Sequence, residues 1–422
     1  MFKRFVEKNG LRVVIRPMRD TRATSVFALV GVGSRYETKK DMGASHFLEH
    51  MLFKGTRKRP NSLAIASEID NVGGSFNGFT GKEFTGFYVK VASKHLPLAI
   101  EVLSDIICHS KFEEEEIERE RRVILEEINS IHDTPDEYIL KLYFSLLYGD
   151  HPLGWDIVKT REKVKTLTRD DLVRFWRRYY TPDNLVISVA GRAEAEKVLS
   201  LIRKYLGGMN GKKEDGWLRI EENQTGPEFK VNLRKIDQVH LCLGVRTFIH
   251  ASHRDRYALQ VLNIILGGNS SSRLFIKVRE KLGLAYAIDS GYETFLDTGT
   301  FLVQAAVDLK NTEKAIKAIL EEFKQIRDKA VSIEELKRAK NYLMGKIALS
   351  LENSSGVAYS FGKQELLLRK IESPDETIRK IRKVTRKDIR RVAEKIFQEK
   401  NLNLALLGPV EKDKNWDEVL KL

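Results

Sequence analysis

Residues 184–191 read Asn184-Leu185-Val186-Ile187-Ser188-Val189-Ala190-Gly191, and 217 positions later the chain reads Asn401-Leu402-Asn403-Leu404-Ala405-Leu406-Leu407-Gly408. Each is a short apolar run closed by glycine, the pattern of a buried strand. Upstream of each run, Thr168-Arg169-Asp170-Asp171-Leu172 is echoed at the same offset by Thr385-Arg386-Lys387-Asp388-Ile389. Segment 110–128 also resembles 329–347, at a slightly different offset. The chain therefore reads as a duplicated unit of about 200 residues. The stretch Gly207-Gly208-Met209-Asn210-Gly211-Lys212-Lys213-Glu214-Asp215-Gly216 is rich in glycine and charge, as a seam should be. The expected domains are 1–212 and 228–422, with 213–227 as linker. Residues 25–32, 85–92 and 184–191 read as strands, and 96–108, 114–130 and 169–179 as helices. Neighbouring strands and paired helices predict an α+β fold in two homologous repeats, each an antiparallel-dominated sheet with helices packed on one face.

At 422 residues the chain is long enough for two domains with full cores. Its net charge of +14 would suit nucleic acid or an anionic membrane surface. The basic residues are interleaved with acids, however, and there is no arginine-rich arm or nucleic-acid motif, so a solvated mixed surface is the better reading. Gly267-Gly268-Asn269-Ser270-Ser271-Ser272-Arg273 lacks the Gly-Lys-Ser/Thr ending of a phosphate loop. Cys108 and Cys242 provide no disulfide framework and no C-x-x-C, which fits a reducing compartment. Met1-Phe2-Lys3-Arg4-Phe5 runs straight into a hairpin signal at Asn9-Gly10, without a signal peptide, and no apolar stretch reaches the length of a membrane span. A soluble, cytoplasmic protein is expected.

The chemistry concentrates in Ala44-Ser45-His46-Phe47-Leu48-Glu49-His50-Met51-Leu52-Phe53. On a helix, histidines four apart lie one turn up the same face, so both imidazoles reach one metal ion. Glu49 falls on the same side. Single histidines in apolar surroundings are ordinarily satisfied core residues, but here two of nine histidines stand at ligand spacing with a carboxylate between them. Burying such a face is costly unless something pairs with it. Zinc suits two imidazoles and a carboxylate.

A third ligand is expected from the acidic helix Glu113-Glu114-Glu115-Glu116-Ile117-Glu118-Arg119-Glu120-Arg121-Arg122-Val123-Ile124-Leu125-Glu126-Glu127-Ile128. Ile117, Ile124, Ile128 and Ile131 form its apolar stripe. Glu120 and Glu127 flank that stripe two turns apart, while Glu126 points to water. Glu127 is therefore the expected ligand, with Glu120 supporting from behind. The other glutamates read as solvated charges.

His46-Phe47-Leu48-Glu49-His50-Met51-Leu52-Phe53-Lys54-Gly55-Thr56 resembles the motif of the inverzincin peptidases, the pitrilysin and mitochondrial processing peptidase family. In that family the last zinc ligand is a Glu 77 residues after the second His, which is Glu127 here, and a supporting Glu seven residues earlier matches Glu120. Asn77, in Gly74-Ser75-Phe76-Asn77-Gly78-Phe79-Thr80, matches a family Asn on the strand that receives substrate. Arg279-Glu280-Lys281-Leu282-Gly283-Leu284-Ala285-Tyr286 matches the Arg–Tyr pair that holds the substrate carbonyl. The second half has lost the metal chemistry: Leu259-Gln260-Val261-Leu262-Asn263 stands where the zinc helix would be, and Lys346 replaces the ligand Glu. The resemblance implies one Zn2+ per chain on His46, His50 and Glu127, with Glu49 as general base and Glu120 assisting. It also implies a closed chamber for unfolded peptides or presequence-like segments. Because a complete site in the family takes four such units and this chain has two, a homodimer is expected, with Arg279 and Tyr286 completing the partner's site. The alternative is a non-catalytic presequence-binding or structural subunit, although relatives of that kind have broken zinc motifs.

Overall fold

The computed structural model describes residues 2–155, 157–214, 216–411 and 414–422. Strands β1 (Lys3–Val6), β2 (Arg12–Pro17), β3 (Ala23–Val30), β4 (Ser75–Thr80), β5 (Thr85–Ala92) and β6 (Leu185–Gly191) form one sheet, ordered β1-β2-β6-β3-β5-β4. Strands β7 (Glu228–Leu233), β8 (Val239–Arg246), β9 (Ala285–Thr294), β10 (Gly299–Val307) and β11 (Leu402–Gly408) form a second, ordered β7-β11-β8-β10-β9.

Without β1, the two orders are the same. Each sheet has one parallel pair at the same place, β2 with β6 and β7 with β11, and is otherwise antiparallel. The two apolar runs that mark the duplication, β6 and β11, are buried along their whole length. The upstream echo is structural too. Thr168 and Asp171 close a capping box on helix Arg169–Tyr179, and Thr385 and Asp388 do the same for Arg386–Ile396. β4 and β9 each end their sheet at the side opposite β1 and β7, so each leaves one edge of backbone groups unpaired by its own sheet.

The α+β layering is present. Helices Leu96–His109 and Ala195–Leu206 pack beside β3, β5 and β2 in the first unit, and Thr312–Asp328 packs against β10 in the second. β3 is buried from Thr24 to Val30, which requires cover on both faces because alternate residues point opposite ways. The second cover is unexpected. Contacts divide the chain into one unit of Met1–Ile128, Val158–Leu218 and Leu349–Glu372, and another of Asn129–Ile157, Arg219–Ala348 and Ser373–Leu422. Helix Ser354–Leu368, from the second half of the sequence, thus lies on β3, β6 and β2 in the first unit. Its counterpart Pro135–Tyr148, from the first half, lies on β11, β8 and β7 in the second. A split within 213–227 did not foresee this reciprocal exchange. The amphipathic pattern of a helix shows that one face is buried, not which of two duplicated sheets covers it.

In the first unit the exchanged helix is tightly fastened. Val357, Ala358, Phe361 and Leu366 join Val14, Phe27, Leu29, Val186 and Ala190 in one core. Gly362 permits the approach, since a Cβ there would stand 2.7 Å from Leu29 Cδ1 and 2.8 Å from Ser188 Cβ. Ser188 Oγ donates to Ala358 O at 2.7 Å. Glu365, fully buried, takes a two-pronged hydrogen bond from Arg4 and lies 3.5 Å from Arg12 Nη1.

The expected linker is anchored within each unit. Leu218 O accepts from the buried Arg35, whose guanidinium also stacks 4.1 Å from the Trp217 ring centroid. Gln224 donates to Leu402 O in the second unit. Both cysteines are free, with Cys242 fully buried and Cys108 partly so. Among the described residues, no helix is long and apolar enough to cross a membrane.

Candidate metal centre

The helix that carries the two histidines, Ala44–Met51, starts after Gly43, whose φ of 88° is accessible at little cost only to glycine. No Ser, Thr or Asp caps it. Instead the buried carboxylate of Glu37 accepts the N–H of Gly43 at 2.8 Å and of Ser45 at 2.9 Å. Burial pushes the Glu37 pKa up to about 7, and the two N–H bonds pull against that rise. Phe47, Leu48 and Met51 are buried and fix the rotation of the helix. That rotation leaves His46 and His50 side by side, ring centroids 4.8 Å apart and nearly perpendicular.

The acidic helix is Glu114–Asp133, with Ile117, Ile124 and Ile128 buried as the stripe requires. Glu127 meets the imidazoles and Glu126 is not in the cluster. His46 Nε2 and His50 Nε2 are 3.2 Å apart, and Glu127 Oε2 lies 3.5 Å from the first and 3.6 Å from the second. Zinc with ligands at about 2.0–2.1 Å in a tetrahedron sets its ligand atoms about 3.3–3.4 Å apart. The triangle therefore has the edge lengths a tetrahedral zinc requires, and its donor set fits the ion. The His46 and Glu127 side chains are 32% and 44% exposed, so the cluster is reached by solvent.

The surrounding charges favour a cation. Burial works against a charge on His50, but Glu120, Glu127 and Glu49 outweigh it and raise its pKa to about 9. Glu120 stands behind His50, with Oε2 3.0 Å from Nδ1 and Oε1 2.6 Å from Lys54 Nζ. Burial alone would raise the Glu120 carboxyl, and the hydrogen bonds from His50 and Lys54 hold it below the usual carboxylate value.

Glu49 faces β4. Its Oε2 accepts from Thr80 Oγ1 at 2.6 Å. Gly78 makes room for it, since a Cβ there would lie 2.8 Å from Glu49 Cγ. Burial raises the Glu49 pKa, partly offset by the Thr80 hydroxyl. Asn77 sits on the same strand, opposite Tyr88 in the register, with its Oδ1 accepting the N–H of Gly78. It is exposed on the terminal strand, one residue before Gly78.

Arg279 and Tyr286 are together in the second unit. Arg279 lies in a π-helical turn, Phe275–Lys281, and its guanidinium sits 5.1 Å from the Tyr286 ring centroid and 4.7 Å from that of Phe275. Tyr286, 79% exposed, is the second residue of the edge strand β9. In helix Arg256–Leu266, Asn263 accepts a hydrogen bond from Ser290, and among the described residues no cluster of three or more metal-ligating side chains forms in the second unit.

Three contributors escaped the sequence reading. Lys54 and Thr80 lie inside quoted segments, but neither residue type advertises a partner distant in sequence. Glu37, nine positions before His46, carries no local signal at all.

Two family profiles match the chain. One described as Insulinase (Peptidase family M16) covers residues 12–161. One described as Peptidase M16 inactive domain covers 166–343. The chain is 36% identical to the uncharacterized zinc protease YmxG of Bacillus subtilis, over 97% of this chain and 98% of that protein. It is 35% identical to an uncharacterized zinc protease of Mycobacterium leprae, over 98% and 93%. Among solved structures, a protease from Helicobacter pylori superposes with a TM-score of 0.91 at 25% identity, covering 96% of this chain and 99% of that one. A peptidase M16 inactive domain from Pseudomonas fluorescens shares the fold, with a TM-score of 0.89 at 18% identity, over 98% and 100%.

Proposed function

Because this chain belongs to the insulinase family of peptidases, M16, we propose that it is a zinc-dependent endopeptidase acting on unfolded peptides or presequence-like segments. The observation that carries this reading is the His46–His50–Glu127 triangle with Glu49 beside it. A zinc ion there would polarise the scissile carbonyl and acidify a water.

The chain's own residues would do the rest. Glu49 takes a proton from the attacking water and returns it to the leaving amine. Thr80 holds one Glu49 oxygen and leaves the other to move the proton. The free edge of β4 offers main-chain hydrogen bonds to an extended peptide, which reads little sequence and requires an unfolded substrate. Asn77, on that edge, would help to grip it.

The test is to incubate the purified protein with an unstructured peptide, with and without a chelator. Cleavage should stop with the chelator and return with zinc. The rival reading, a non-catalytic binding or structural subunit, draws support from the inactive-domain description of the second half. It requires that no cleavage occur under any metal condition.

The ligand assignment makes a sharper prediction. Glu127→Gln should lose bound zinc, whereas Glu126→Gln should keep it, by elemental analysis of the purified variants. Zinc lost from the second and kept by the first would overturn the assignment.

Arg279 and Tyr286 are read as substrate-binding residues that act in the partner's site of a symmetric homodimer enclosing a chamber. Neither Glu49→Gln nor Tyr286→Phe should cleave well alone. Mixing the two should restore activity, because one site of the mixed dimer then has both parts intact. If mixing restores nothing while dimers exchange, sharing across the interface is wrong. A cytoplasmic location accords with the two free cysteines.

A further inference from the structure

Lys54 lies in the turn that ends the histidine helix, its N–H donating to Met51 O at 3.1 Å. Its side chain reaches back to the acidic helix, where Nζ stands 2.6 Å from Glu120 Oε1. The other Glu120 oxygen is 3.0 Å from His50 Nδ1, and His50 Nε2 faces His46 and Glu127. Ammonium, carboxylate and imidazole thus form a continuous chain that ends at the metal centre.

Each link constrains the next. A carboxylate only accepts, so Nδ1 carries a proton toward Glu120, which would leave Nε2 as the atom that gives its lone pair to a bound ion. The Glu120 side chain is 6% exposed, so water cannot easily replace a lost partner. Without the ammonium, Oε1 becomes a buried acceptor with no charged partner, and the carboxylate is free to rotate off the imidazole. Lys54 also sets a positive charge against the Glu120 carboxylate.

We propose that Lys54 is a positioning residue for the metal centre: it pins Glu120 in the orientation that locks the His50 ring, and thereby sets the affinity for zinc. This rests on reading His46, His50 and Glu127 as the ligands.

The test is zinc affinity, measured by competition with a chromogenic chelator, together with the melting temperature of the metal-free proteins. Lys54→Met should weaken zinc binding about 10–100-fold, the usual cost of losing an outer partner of a ligand. Its metal-free melting temperature should fall by only a few degrees, since Glu120 keeps its hydrogen bond with His50. Lys54→Arg, which keeps a charged donor, should recover most of the loss. In a Glu120→Gln background, Lys54→Met should add less than about twofold, because the lysine acts through the carboxylate. If Lys54→Met proves unfolded without metal, Lys54→Gln, which keeps polar packing without the charge, takes its place with the same expectation. Unchanged affinity in the charge-removing variants overturns the proposal, as does a full loss that persists in the Glu120→Gln background. His46→Ala serves as the control for the ligand reading. If it binds zinc as tightly as the unaltered protein, the ligand assignment itself is wrong, and this inference falls with it.

Discussion

Replacing Glu49 by Gln should abolish peptide cleavage while leaving zinc in place. The amide is close in shape to the carboxylate, and its oxygen can still accept the Thr80 hydroxyl that now holds Glu49 at 2.6 Å. The three ligand side chains are untouched. What disappears is the ability to take a proton and return it, a contribution of about 10²–10⁴ in rate. The structure favours Glu49 for that work. It sits in a partly buried niche against Gly78, where burial raises its pKa and makes it a better base than an exposed carboxylate. Single-turnover cleavage of an unstructured peptide, with zinc content measured on the same sample, decides the point. A variant that keeps its zinc and cuts within tenfold of the parent would remove Glu49 from the mechanism.

The largest effect on stability should come from a residue outside the candidate metal centre. Glu365 is fully buried on the exchanged helix Ser354–Leu368 and faces Arg4 and Arg12. Arg4, with a side chain 43% exposed, can turn to water when its partner is lost. Arg12, 5% exposed, cannot. Burial already lowers its pKa, against the pull of Glu365. In Glu365→Ala, Arg12 would keep the backbone carbonyl of residue 365, 2.7 Å from Nη1, and lose its counter-charge. Stranding a buried charge costs roughly 3–5 kcal/mol. Urea unfolding, which leaves ionic strength unchanged, should show that loss in the unit containing β1 to β6. Exchanging the pair for apolar residues, Arg12→Met with Glu365→Leu, should recover most of it, since well-packed apolar side chains often replace a buried ion pair without net cost. If Glu365→Ala unfolds within about 1 kcal/mol of the parent, the exchanged helix is not held by this pair and its apolar core suffices.

The clustering of His46, His50 and Glu127 was legible because its information is local and periodic. His46 and His50 lie one turn apart, so helical geometry alone puts them on one face. Glu127 was separable from Glu126 because the isoleucine stripe of the acidic helix fixes which way each carboxylate points. Lys54 and Glu37 were not legible. Lys54 meets Glu120 across 66 positions, and Glu37 caps a helix from outside it through two backbone N–H groups. A lysine or glutamate leaves no mark in a sequence of its partner on another element.

From sequence alone follow the duplication, the α+β class, the two imidazoles on one helix face and the side of the acidic helix on which Glu127 stands. Each depends on spacing along the chain, and spacing is what helical and strand periodicity convert into direction. The tertiary structure alone decided that helices 135–148 and 354–368 each cover the sheet of the other half, that Gly78 and Thr80 hold Glu49, and that Lys54 stands behind Glu120. Duplicated halves present near-equivalent apolar faces, so burial of a helix is written in its pattern, while the choice between two similar sheets rests on the fit of particular pairs such as Gly362 against Leu29 and Glu365 against Arg12.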